Sequence, residues 1–235
     1  MPNSFFRFKQ FTIHQDKSAM KVCTDSCILG AWTANHLNGA NRILDVGSGT
    51  GLLSLMLAQK SESHIDSIEL DPDSAAQAQE NILASPWSAR IRLLQGNVLH
   101  YPLTADYDFI ICNPPFFESD LRSPLEKKNK AKHNETLTLD ELIVVLRKRL
   151  NIAGNFSILL PQHRSDYFEK LAAENGFFLC RKLIVRQTPA HQPFRSICLF
   201  GFQNPEGMNL KELIIKNENG KYTGEFTELM VDYYD

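Results

Sequence analysis

The spacing of hydrophobic and polar positions changes along the chain, and each change marks an element. Cys27, Ile28, Ala31, Trp32, Ala34 and Leu37 recur at helical spacing, with Thr24-Asp25-Ser26 as the N-cap and Asn38-Gly39 as the stop. From Arg42 the pattern turns to short apolar runs. Arg42–Val46, Ile65–Leu70, Ile91–Gln95 and Tyr107–Cys112 predict buried strands. Between them Leu52–Gln59 and Pro72–Leu83 read as helices, the second opened by Pro72 in its first turn. Residues 117–137 are polar, interrupted by Pro124, and read as a long loop. Thr138 then caps a helix to about Leu150, Asn155–Leu160 is a strand ended by Pro161, and His163–Asn175 is a helix closed by Gly176. Phe177–Val185 and Ser196–Phe202 follow each other too closely for a crossover helix, which predicts an antiparallel pair at the sheet edge.

Strand–helix alternation of this kind means an α/β fold with a mostly parallel sheet and helices on both faces. Residues 41–202 form its core. Residues 1–40 supply an arm and a helix packed on it. Residues 203–235 are an appendage in which Asn219-Gly220, between Leu213–Lys216 and Lys221–Thr223, signals a hairpin. In the arm Phe5, Phe6, Phe8 and Phe11 alternate with Arg7, Lys9 and Gln10. Such a mixture suits stacking on RNA bases, but an apolar arm with its polar residues outward is the preferred reading.

Composition narrows the picture. A chain of 235 residues with 43% hydrophobic content buries a full core without staples. Five scattered cysteines form no C-x-x-C pair, which argues against a zinc site and fits a reducing cytoplasm. No secretory leader and no apolar run of membrane-spanning length is visible. A net charge of −2 gives no support to nonspecific nucleic-acid binding over the whole surface, so any basic contact has to be local.

Two stretches carry candidate chemistry. Asn113-Pro114-Pro115-Phe116 follows a strand. Its prolines lack N–H groups, so the loop offers carbonyl oxygens and the Asn113 amide oxygen beside an aromatic face. That set suits a planar group bearing NH2. Asp45-Val46-Gly47-Ser48-Gly49-Thr50-Gly51 joins a strand to a helix, where glycines permit a tight turn and close approach to a ligand. The third glycine comes one position early for a dinucleotide fingerprint, and no Lys-Ser/Thr follows, so this is not a P-loop. Glu69, at the end of the second strand, is placed to accept ribose hydroxyls. Asn97, after the third strand, has an amide suited to an adenine edge.

The order D-x-G-x-G-x-G, Glu69, Asn97 and N-P-P-F resembles the class I S-adenosylmethionine-dependent methyltransferases, in their amino-group methylating branch. The resemblance spans roughly residues 20–202. It implies a Rossmann-like, seven-stranded sheet, with S-adenosyl-L-methionine held at Asp45, Gly47, Gly49, Gly51, Glu69 and Asn97. It also implies an acceptor site at Asn113, Pro114, Pro115 and Phe116. Phe8-Lys9-Gln10-Phe11, Met20-Lys21-Val22, Thr24-Asp25, Leu29-Gly30-Ala31-Trp32 and Lys132-His133 are similar to one bacterial family, the tRNA1(Val) adenine N6-methyltransferases. Cys23 stands where that family is expected to carry glycine, and Phe116 where tyrosine is frequent. The family implies methylation of the adenosine 3′ to the anticodon, with the tRNA anticodon loop as partner; the sequence itself gives no sign of a metal, a membrane or a stable protein partner. Thr24 and Asp25 would hold the methionine end of the cofactor.

An RNA substrate needs local positive charge. Arg122, Lys127, Lys128, Lys130, Lys132 and His133 follow the N-P-P-F loop, and Arg181, Lys182, Arg186 and Arg195 frame the connection between the last two strands. Both groups are candidate phosphate contacts; a solvated loop and a guarded sheet edge are the competing readings. The N-P-P-F loop by itself also fits guanine N2 of ribosomal RNA or a glutamine amide in a release factor. A cofactor-binding regulator without catalysis is the non-enzymatic alternative, and the intact Asn113 argues against it.

Overall fold

The apolar runs become strands of one sheet, and the computed structural model describes residues 3–18, 20–115 and 137–235 of the chain. A small N-terminal hairpin pairs β1 (Phe5–Arg7) with β2 (Thr12–His14). The main sheet contains β3 (Arg42–Val46), β4 (His64–Glu69), β5 (Ile91–Gln95), β6 (Tyr107–Cys112), β7 (Leu150–Pro161), β8 (Phe178–Arg186), β9 (Arg195–Gly201) and β10 (Asn209–Ile214). Their order is β10-β8-β9-β7-β6-β3-β4-β5. Only β9 is reversed: it runs antiparallel to both β7 and β8, while every other pairing in the sheet is parallel.

The fold class is the one the alternation predicts, with an eighth strand added. That strand comes from the tail, where the sequence suggests a hairpin. The Asn-Gly turn is present, with Gly220 at φ 74°, but it closes only an isolated bridge between Lys216 and Tyr222. The preceding residues pair with β8 instead, because that register turns Leu213 and Ile215 into the core. The antiparallel β8–β9 pair is therefore covered on its outer side by β10.

Helices α1 (Thr24–Ala34), α2 (Leu52–Lys60), α3 (Pro72–Leu83), α4 (Leu139–Arg149), α5 (Gln162–Glu174) and α6 (Gly224–Met230) cover the two faces. Alternate residues of β6 show the division: Phe109 and Ile111 pack in one core, Ile110 and Cys112 in the other. The first core is filled from α1, α2, α3 and α6, the second from α4 and α5. Thr138 opens α4 with a capping box, its hydroxyl accepting from Glu141 N and the Glu141 carboxylate accepting from Thr138 N. The N-cap of α1 is Cys23, one residue earlier than the sequence suggests. Thr24, Asp25 and Ser26 are thereby helical, and Asp25 and Ser26 turn to other partners. The same helix stops at Ala34, and left-handed Asn38 (φ 49°) and Gly39 (φ 76°) turn the chain after Leu37.

The N-terminal arm packs on the core. Phe8 and Phe11 are buried and stack with ring centroids 4.5 Å apart, whereas Phe5 is exposed. Asn81 on α3 ties the arm to the glycine turn: Oδ1 accepts from His14 N at 2.9 Å, and Nδ2 donates to His14 O at 2.8 Å and to Thr50 O at 2.9 Å. Truncation takes this partner from three backbone groups, the buried Thr50 carbonyl and the part-buried His14 N–H and C=O. Asn81→Ala is therefore expected to lower unfolding free energy by about 2 kcal/mol. Urea denaturation measures it, and an unchanged midpoint would exclude the clamp.

Candidate active site

The carboxyl ends of β3 and β6 open side by side. Val46 and Cys112 are register partners on adjacent parallel strands, so the glycine turn and Asn113 leave the sheet in the same direction. β3 lies between β4 and β6, which is where chain order switches direction across the sheet and where open α/β sheets form their ligand crevice.

The glycine turn is built for close approach. Gly47 has φ 71° and Gly49 φ 56°, in the left-handed region that L side chains rarely adopt, and a Cβ built on either would meet nothing within 4 Å. The space in front of both is open. Gly47 N and Ser48 N donate to Ile68 O at 2.9 and 3.1 Å, which fastens the turn to the end of β4. Glu69, the last residue of β4, holds the turn from the other side. Its Oε2 accepts from Gly49 N at 2.7 Å and its Oε1 from Asp71 N at 2.9 Å. Each oxygen keeps a lone pair for a further donor.

Asp45 lies beneath the turn and is fully buried. Its Oδ2 accepts from Ser54 N at 3.1 Å and Ser54 Oγ at 2.7 Å, capping the first turn of α2, while Oδ1 is buried without a partner. Burial pushes the carboxyl up to about 7; the Ser54 bonds oppose the shift and the Glu69 charge adds to it. An orphaned acceptor that titrates near neutrality is ready for a cationic donor. The Asn97 Oδ1 accepts from Leu99 N at 2.9 Å and keeps a second lone pair, and its NH2 stays a donor, so both halves of the amide remain for an adenine edge.

Across the crevice Asn113 Nδ2 donates to Ser26 Oγ at 2.9 Å, and Asn113 Oδ1 is buried with no partner. Pro114 is buried and Pro115 exposed. Asp25 and Arg195, expected to serve different ligands, form one ion pair, with Arg195 Nε donating to Asp25 Oδ2 at 2.7 Å. Asp25 Oδ1 accepts from Ser26 N. Thr24 is the exposed first residue of α1. The second set of expected phosphate contacts is likewise paired internally: Lys182 is buried and bonded to Glu169 at 2.6 Å, and Arg186 meets Glu212. Of that set Arg181 is the exposed member. Phe116, Arg122, Lys127, Lys128, Lys130, Lys132 and His133 lie outside the described residues. The structure thus brings together Asp45, Gly47, Gly49, Gly51, Glu69 and Asn113, and adds Ser54 and Ser26. Neither serine carries a sequence signal beyond its position in the first turn of a helix.

Among the described residues no helix is long and apolar enough to cross a membrane, and no group of three His, Cys, Asp or Glu side chains could hold a metal ion.

Comparison with known proteins adds three findings. The family model described as Methyltransferase small domain matches residues 31–177. The tRNA1(Val) (adenine(37)-N6)-methyltransferase of Bacteroides thetaiotaomicron is 40% identical over 100% of this chain and 98% of its own length; that of Dyadobacter fermentans is 46% identical over 84% and 82%. Among solved structures, a predicted O-methyltransferase from Agrobacterium tumefaciens superposes with a TM-score of 0.66 at 16% identity, covering 89% of this chain and 96% of that one. A glycopeptide N-methyltransferase solved with S-adenosylmethionine gives 0.54 at 12% identity, over 74% and 94%. At such identities the solved structures speak for the fold.

Proposed function

Since the chain belongs to the tRNA1(Val) (adenine(37)-N6)-methyltransferase family, we propose that it methylates N6 of adenosine 37 in that tRNA, with Asn113 and Pro114 as the acceptor-binding residues. The observation that carries the site assignment is the buried, unpartnered Asn113 Oδ1 beside an open glycine turn.

The residues present fit S-adenosyl-L-methionine. Gly47 and Gly49 leave room in front of the turn, the orphaned Asp45 Oδ1 suits a cationic amino group, and Glu69 has spare lone pairs for ribose hydroxyls. When bound, that molecule supplies a methyl group already activated by its sulfonium. What remains for the protein is the acceptor. The lone pair of an adenine amino group is delocalised into the ring. Asn113 Oδ1 and the Pro114 carbonyl accept its two N–H hydrogens, favour a tetrahedral nitrogen and stabilise the positive charge that develops there. Phe116 stacks on the base, and Arg122, Lys127, Lys128, Lys130, Lys132 and His133 follow closely enough in sequence to contact flanking phosphates. No strong general base is required, because the proton leaves the nitrogen after transfer.

Asp45 makes cofactor binding depend on pH. Its folded value of about 7 lies above the ordinary 3.8, so the empty protein holds a proton there below neutrality. The folded state then binds more protons than the unfolded one, and the Asp45 contribution to stability declines as pH rises from about 4 to 7. Only the carboxylate pairs with a cationic amino group. The Kd for S-adenosylmethionine is therefore expected to fall about tenfold between pH 6 and pH 8, with proton release on binding. Calorimetry in buffers of different ionisation enthalpy reads both; an affinity flat across that range removes Asp45 from the contact.

The function itself is tested with purified protein, labelled S-adenosylmethionine and an unmodified tRNA1(Val) transcript, followed by nucleoside chromatography. N6-methyladenosine is expected, and it should vanish when position 37 is changed to guanosine. Label in N2-methylguanosine or in protein would overturn the reading.

A further inference from the structure

A carboxamide has an acceptor end and a donor end of nearly equal size, and a half-turn about its last torsion exchanges them. For Asn113 the exchange matters, because an NH2 facing a substrate NH2 repels it. Within the structure one contact bears on the choice. Asn113 Nδ2 donates to Ser26 Oγ at 2.9 Å, a bond between residues 87 apart in sequence, and Oδ1 is left buried and unpartnered. Ser26 is itself buried, on the first turn of α1, and its Oγ lies 2.9 Å from Cys23 Sγ. Either atom of that pair can donate; with the hydroxyl hydrogen on the sulfur side, the Oγ lone pairs are left for Asn113.

We propose that Ser26 is a positioning residue for methyl transfer, one that holds the Asn113 amide with its oxygen toward the incoming amine. The hydroxyl touches neither reactant. It acts by taking an amide hydrogen and so making the flipped amide, with N–H toward the substrate, the costlier arrangement. The inference rests on Asn113 being the acceptor-binding residue.

Ser26→Ala is expected to lower kcat about tenfold, while calorimetric affinity for S-adenosylmethionine and the melting temperature stay close to wild type. Ser26→Thr, which keeps a hydroxyl, should recover most of the rate. A second comparison uses Asn113→Asp, whose carboxylate has two equivalent acceptor oxygens and cannot be misoriented. In that background adding Ser26→Ala should change the rate by less than about twofold. Wild-type kcat in S26A would overturn the proposal. So would a parallel loss of cofactor affinity and melting temperature, or the same tenfold loss in the Asn113→Asp background. Where N113D is too slow to read, the kcat-against-affinity split in S26A and its recovery in S26T decide alone. Wild-type protein that leaves tRNA unmethylated refutes the functional reading, whereas an active wild type with an indifferent Ser26 refutes only this one.

Discussion

Asn113→Ala is expected to slow methyl transfer by about 10²–10³-fold, the range seen when one preorganised partner of a developing charge is removed. Affinity for S-adenosylmethionine should stay within about twofold, because the described contacts of Asn113 run to Ser26 and not to the glycine turn or Glu69. The substitution removes the one side-chain acceptor on the β6 side that, among the described residues, is buried without a partner. Folding has little reason to object: an unsatisfied carbonyl disappears, and Ser26 retains Cys23 as a neighbour. Single-turnover rates with excess enzyme, read beside a calorimetric Kd for the cofactor, separate the two quantities. Equal losses in both would move Asn113 from the acceptor half of the site to the cofactor half.

Gly47→Val should act on the opposite half. At φ 71° a valine is strained, by roughly 1–2 kcal/mol for the left-handed region, and that lowers the melting temperature by a few degrees. Apart from its chain neighbours, no atom of the described residues lies within 4 Å of the new Cβ, so the fold has room for it. The space it fills is the open front of the turn. Cofactor affinity is therefore expected to drop about 100-fold, equivalent to roughly 2.7 kcal/mol. Gly51→Val makes a useful contrast: at φ 81° it carries the same backbone strain, but its Cβ would sit in ordinary contact with Ala78 Cβ at 3.5 Å, against α3 rather than open space. If Gly47→Val bound the cofactor normally, the open front of the turn would not be its seat.

Much of this architecture was legible because parallel strands buried on both faces read as unbroken apolar runs. β3, β5, β6 and α3 have the limits their patterns predict, bounded by glycine, proline or a polar turn. What stayed illegible depends on partners distant in sequence. Asn209–Ile214 is mostly exposed and has no strong strand pattern; only the free edge of β8 makes it a strand. Ser26 reads as part of a helix cap until β6 delivers Asn113 beside it. Asp25 and Arg195 look like ligands for two different molecules until the fold joins residues 170 apart into one ion pair. Local chemistry marked the crevice, and tertiary pairing decided which of its polar groups remain available.

The arm and the tail hold each other: Lys9 N donates to Tyr233 O, Lys9 Nζ to Val231 O, and the rings of Phe6 and Phe8 lie against Tyr234. The Lys9–Val231 contact spans 222 positions, so it closes nearly the largest loop the chain offers. During synthesis the hairpin emerges long before the segment that covers it. Its aromatic face must wait, exposed, while the sheet assembles strand by strand. The fastening of the arm is thus complete only once the last residues of the chain are in place. A nascent chain halted before residue 231 would carry a cofactor crevice whose glycine turn has Asn81 beneath it but whose arm is still only half fastened.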